Sequence, residues 1–366
     1  MLRNLVGFQA LLVALTATVL PAFAGPYEDA VKAFNRKQYT QAVAVFQKLA
    51  NAGDANAQFR LGGVYLKGQG VKQSQQDAVA WFRKAALQGH ADAQNSLGVR
   101  YEKGQGIAQD YKVAVAWYRN AALQRFALAQ DNLSDMYAKG LGVAQDDADA
   151  WLWSSLASAH GESGAAAKRA AIEKRMNAEQ IAEAQYRLAM AYMNGQGVVQ
   201  SAQRSLEWAR KVAMQGHAKA QYQLADSYDK GVGGVTQDFS QAAAWFEKAA
   251  VQGDVRAQSA IGYMYDAGQG VTADLPRARE WYERAAAKGD AFAQYNLGSM
   301  YGTGRGVGQS DLQAYMWFSI AEENSSNAAG KTAAQSKKLI EAQLSPAQIA
   351  EAQRLARDWA KNNSNK

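Results

Sequence analysis

Few residues in this chain are suited to acid–base or metal chemistry. There are only three histidines, His90, His160 and His217, and no cysteine. Without cysteine there are no disulfides, no thiolate metal sites and no lipid-modified export signal. His90 and His217 each follow a Gly at the same point of a repeating pattern, which places them on an edge of the structure and far apart. A shared metal site is therefore not expected, and no Ser, His and acid set has local support for nucleophilic catalysis. Gly-x-Gly recurs beside helix starts and would suit phosphate binding only with a Gly-Lys-Ser/Thr run after a strand, which does not occur. Columns of Trp and Tyr would suit stacking on sugars, but their register with Ala and Leu assigns them to a core. The expectation is a protein without catalytic residues, metal or cofactor.

The elements that position these residues repeat. Ala-x-Ala-Gln stands at Ala55–Gln58, Ala91–Gln94, Ala127–Gln130, Ala218–Gln221 and Ala291–Gln294. Seven residues after each Gln comes a Tyr, in a column Tyr65, Tyr101, Tyr137, Tyr192, Tyr228, Tyr265 and Tyr301. A Gly-x-Gly follows each, and then a Trp column: Trp81, Trp117, Trp153, Trp208, Trp245, Trp281 and Trp317. Most steps are 36 residues. Ala55, Gln58, Leu61, Gly62 and Tyr65 share one helical stripe, and Ala78, Trp81, Ala85 and Ala86 another. Gly68 suits a left-handed helix end, and Ser74, Asp110, Asp146, Ser201, Asp238, Asp274 and Ser310 suit the N-cap of the second helix. Each copy is thus a helix hairpin, and a hairpin buries its stripe only by stacking on another. Arg125 interrupts the Gly column that ends the second helices, so a differently bent junction is expected there.

This pattern resembles the Sel-one-like repeat, a branch of the tetratricopeptide-like helical repeats, over roughly residues 26–361. The resemblance implies an all-α fold, a right-handed α-α superhelical solenoid of stacked hairpins with a concave face. Residues 26–53 look like a leading tetratricopeptide-type hairpin. The period breaks once: Trp153 and Tyr192 are 39 residues apart, where 20 is usual. The insert carries Ala178-Glu179-Gln180-Ile181-Ala182-Glu183-Ala184-Gln185, nearly repeated by Pro346-Ala347-Gln348-Ile349-Ala350-Glu351-Ala352-Gln353 near the C-terminus. Two lobes are expected, 25–176 and 177–361, the second closed by a capping helix, with 362–366 as a tail.

Residues 1–24 read as an export signal. Arg3 is the only charge before Glu28, Leu5–Leu20 is largely apolar, and Ala22-Phe23-Ala24 is a small-x-small cleavage pattern. A periplasmic or secreted protein is expected, with no stable membrane insertion after cleavage. Loss of Arg3 lowers the formal charge from +7 to +6, and the basic residues are scattered, so no nucleic-acid partner is indicated.

If first helices line the concave face, the residue after each Gln and those four and seven further on point into it. In the second lobe these positions and their neighbours include Tyr186, Met190, Tyr222, Tyr263, Phe292 and Tyr295, an aromatic and Met set that the repeat core does not need. These six are the expected partner-binding residues. The function expected is a protein–protein adaptor or scaffold. The resemblance adds an immunity protein for a secreted toxin or an envelope regulator, with cell-wall or polysaccharide binding as the alternative. The β-lactam-hydrolysing activity of cysteine-rich relatives does not carry over to a chain without cysteine.

Overall fold

A computed structural model describes residues 24–325 and 328–363. The expected export signal, apart from Ala24, lies outside them, as does most of the 362–366 tail. The described residues form nineteen α-helices and no strand. A leading hairpin, α1 (Ala24–Asn35) and α2 (Tyr39–Asn51), precedes α3 (Ala55–Lys67) with α4 (Gln75–Leu87), α5 (Ala91–Lys103) with α6 (Tyr111–Leu123) and α7 (Ala127–Lys139) with α8 (Asp147–Ala159). After the short α9 (Ala165–Glu173) come α10 (Ala178–Asn194) with α11 (Ala202–Met214), α12 (Ala218–Lys230) with α13 (Phe239–Val251), α14 (Val255–Ala267) with α15 (Leu275–Ala286) and α16 (Ala291–Thr303) with α17 (Asp311–Asn324). The last two helices are α18 (Ala328–Glu341) and α19 (Pro346–Asn363). The fold is a solenoid of stacked helix hairpins.

The chain forms two compact units, one up to Ala121 and one from Ala122. The insert therefore lies inside the second unit and not at a boundary. The reason is that α10 packs directly on α8. Arg187 of α10 places Nη1 2.8 Å from both Asp146 Oδ2 and Asp149 Oδ1 at the start of α8, and Nε 3.1 Å from Glu183 Oε1. Asn177 and Gln180 form a reciprocal capping box that starts α10.

Local capping sets the hairpin geometry. All seven second helices begin at the expected Ser or Asp, whose side-chain oxygen accepts from the backbone N–H three residues on. Gly68 ends α3 in the left-handed conformation, at φ 67°. Arg125 adopts positive φ as well, 69°, so the junction expected to bend differently keeps the left-handed turn at a steric cost. First helices have their own N-cap column, which the repeat pattern did not disclose: Asp54, His90, His217, Asp254 and Asp290 each accept the N–H three residues on. Phe126 stands at that place before α7 and makes no side-chain cap.

Packing between the two helices of a hairpin meets the expectation for Trp in part: Trp153, Trp281 and Trp317 are buried, whereas Trp81, Trp117, Trp208 and Trp245 are only partly so. Trp245 is only partly buried, with the Lys248 ammonium 4.0 Å from the ring centroid. Its neighbour Phe246 is 4% exposed and takes the core place. Phe82, Tyr118, Tyr282 and Phe318 are buried at the same place in other hairpins, the last two beside a Trp that is buried as well. Each of those four lies against a first-helix glycine, Gly62, Gly98, Gly262 or Gly298, where a Cβ would fall within 2.4–2.9 Å of the ring. Where Ser134 or Ala189 replaces that glycine, the second helix carries the small Ser154 or Ala209. Ala225 beside Phe246 is the exception.

Phe246→Ala is accordingly expected to cost ~3–5 kcal/mol in urea unfolding, and Trp245→Ala clearly less. The opposite ranking would contradict this packing. A second expectation concerns pH. Burial, opposed by Asp92, holds the His90 imidazole below its ordinary 6.5. On acidification the unfolded chain takes up this proton first, so stability is full above about pH 6.5 and falls as pH drops through the folded value. His90→Asn keeps a capping oxygen that does not titrate, so its stability at neutral pH should stay within about 1 kcal/mol of the parent. Its melting temperature should fall less steeply between pH 7 and 5. His160, lowered by burial and by Arg125, keeps some slope in the variant. Unchanged steepness would show that His90 does not carry the effect.

Candidate protein-binding face

The second unit presents the faces of its first helices in register. On α10 the positions after the repeat Gln are Tyr186, Met190 and Met193, and on α12 they are Tyr222, Asp226 and Asp229. On α14 they are Ser259, Tyr263 and Asp266. Tertiary packing uses some of these and leaves others open. Tyr263 and Phe292 are 44% and 43% exposed, and their ring centroids lie 6.2 Å apart across α14 and α16. Tyr222 is half-buried between the Phe246 ring at 5.5 Å and the Arg256 guanidinium at 4.1 Å. Burial pushes the Tyr186 hydroxyl of α10 above its usual range, and the Arg256 guanidinium opposes that rise. Tyr186 packs on His217, with centroids 5.0 Å apart, and Met190 is half-buried on the same side of α10. Ser259 is drawn inward, where its hydroxyl donates to Asp290 Oδ1 at 2.8 Å.

Tyr295 is placed differently from the other five residues. Its ring packs on Phe318 at 5.6 Å, in a cluster that includes Ala333 and Ile340 of α18. The helix after the last repeat thus covers the first-helix face of α16. The insert helix acts similarly at the other end: Lys168 of α9 places Nζ 2.8 Å from both Asp131 and Asp135 on α7. Between these covers the faces of α10, α12 and α14 are open.

Several ionisable groups outside this face are engaged in ion pairs and hydrogen bonds within the fold. Burial opposes the charged form of Asp146 and Glu183, but Arg187 together with backbone N–H groups at Asp146, and with His217 and Lys219 at Glu183, outweighs it, and both ionise below the usual carboxylate range. They line a polar cleft of about 570 Å³ with Asp147, Glu179, Arg187 and His217. His217 accepts from Ala220 N at Nδ1 and holds Glu183 Oε2 at 3.1 Å through Nε2, so both ring nitrogens are engaged. His160 Nδ1 meets Gln130 Oε1 at 2.8 Å. No group of three or more His, Asp or Glu fit for a metal ion occurs among the described residues. No helix among them is long and apolar enough to cross a membrane.

The model of the Sel1 repeat matches residues 55–90, 91–126, 127–162, 182–217, 218–254, 255–290 and 291–326. Among solved structures, a protective antigen of uropathogenic Escherichia coli with an SLR fold is 29% identical, with 92% of this chain and 83% of that one covered at a TM-score of 0.37. A Sel1 repeat protein from Oxalobacter formigenes is also 29% identical, covering 72% and 97% of the two chains at a TM-score of 0.36. An immunity protein from Pseudomonas aeruginosa is 18% identical, covering 69% and 82% at a TM-score of 0.27. No curated protein matches the chain. Seven matched repeats, each a capped hairpin in the structure, make this chain a member of the Sel1 repeat family.

Proposed function

We propose that the protein is an exported scaffold that holds a partner protein on the first-helix face of its second unit. The observation that carries this reading is the exposed pair Tyr263 and Phe292 on a face whose other first-helix residues are mostly half-buried. Large aromatic rings left in water have no role in the repeat core, and such rings anchor protein interfaces. Met190 and Tyr222 extend the patch on α10 and α12, while Tyr186 and Tyr295 mainly support it from within. An immunity protein would hold one cognate toxin here, and an envelope regulator would hold several partners. Capture from an envelope extract, followed by mass spectrometry, separates these cases.

Replacing Tyr263 and Phe292 together by Ala should weaken capture of the partner at least about tenfold with helix content unchanged. Gln241→Ala with Glu280→Ala, exposed on second helices, should leave capture intact. The reverse result would move the partner to the second-helix face. Export is proposed from Arg3, the apolar run and Ala22-Phe23-Ala24. N-terminal sequencing of the protein from its native host should begin within a residue or two of Gly25. An intact Met1 on protein retained in the cytoplasm would reject export.

A further inference from the structure

The charges on the open face do not balance. Lys230 Nζ lies 2.6 Å from Asp226 Oδ1, Arg256 Nη2 lies 2.9 Å from Asp254 Oδ2, and Arg305 pairs with Asp266. Each of these cations already has its carboxylate. Asp229 makes no close ion pair among the described residues: Lys230, the cation beside it in sequence, pairs with Asp226 and offsets Asp229 only from a longer range. It stands in the last turn of α12, at the negative end of the helix dipole. Burial, and then the neighbouring Asp226, push its carboxyl above the usual range against a smaller opposing pull from Lys230. A cation from outside the chain would relieve both penalties.

The surroundings of Asp229 limit what can carry that cation. Tyr222 shares its helix face, and the exposed Tyr263 and Phe292 stand on the following first helices. Met193 holds the equivalent position on α10. The complementary surface is therefore a positive charge flanked by apolar groups. Length is limited as well, since Lys168 of α9 and Ile340 of α18 occupy the two ends of the face. Neighbouring helices pack ~8–10 Å apart, so three helix faces span roughly 20 Å. An extended chain covers that in about six residues, at ~3.3 Å each.

We propose, building on the protein-binding reading above, that this face takes a short extended segment of a partner polypeptide. The segment carries Lys or Arg between apolar residues, with the cation set against Asp229 and apolar side chains on Tyr263 and Phe292. A longer segment has to leave the face at α9 and α18.

The test is selection of a random dodecapeptide display library on the full chain, followed by affinity measurement with the synthesised winners. Winners should carry Lys or Arg flanked by apolar residues. Their binding should weaken at least about tenfold on Asp229→Asn, and also on Tyr263→Ala with Phe292→Ala. It should also weaken with added salt. Winners that need Tyr263 and Phe292 but are acidic or uncharged, or that ignore Asp229→Asn, would overturn the cation assignment and leave the binding face standing. A selection yielding no binders, or binders indifferent to all three residues, would overturn both. Circular dichroism of each variant excludes unfolding as the cause.

Discussion

A single buried side-chain amide holds one hairpin to the next. Gln58 of α3 donates to Ala50 O at the end of α2 and accepts from Gln88 Nε2 beyond the end of its own partner helix α4. One side chain thus joins three helices. Gln221 repeats the arrangement with Ala213 O and Gln252, and Gln294 with Ala286 O and Asn324. These amides are nearly or fully buried, so each depends on its partners to avoid the cost of an unpaired polar group in the core. The spacing of these bonds explains why the repeat length is held so closely. A second helix one residue too long would carry its terminal carbonyl or its Gln away from the bridging amide. The one-residue extension after Gly231 is accommodated in the loop instead, where Gly233 and Gly234 both take positive φ.

At two of the places where the amide chain changes, the architecture changes as well. The residue in the Gln88 place is His160 in the third repeat and Asn324 in the seventh, and these are the two repeats followed by an added helix. Lys288 takes that place in the sixth repeat and reaches Gly253 O instead, leaving Gln258 Oε1 without a hydrogen-bond partner among the described residues. The sequence α8, α9, α10 recurs as α17, α18, α19, but the last helices differ in what they offer. On α10, Tyr186 and Ala189 receive further packing. On α19, the matching Arg354 and Arg357 face water, with Arg354 paired to Glu351 and Asp358. One copy continues the stack and the other ends it.

The added helices also shape the face assigned to binding. They cover α7 and α16, and the open stretch between them combines exposed rings with one carboxylate that makes no close ion pair. Several acids and histidines elsewhere serve as helix caps and ion-pair partners, among them Asp54, His90, Asp146 and Glu183.

Much of this was legible in the sequence because it is local. Ser and Asp caps act within three residues of themselves, and a Gly at a helix end needs only its own φ, so every second-helix start could be read from Ser74 through Ser310. The register of Tyr222 and Tyr263 followed from helical periodicity, as did the hairpin fold. Other features depend on residues distant in the chain. Trp245 and Phe246 are both aromatic and only about 100° apart around one helix, and only contact with α12 decides that Phe246 is the buried one. Tyr295 and Tyr222 occupy equivalent positions in their repeats, yet α18 covers Tyr295 while Arg256 lies over Tyr222. Asp229 looks like any surface acid until Lys230 is seen to pair with Asp226. Sequence determines each hairpin because its signals lie within a few residues of what they control. Only tertiary structure decides which side chains remain free, because that depends on neighbours supplied by other repeats.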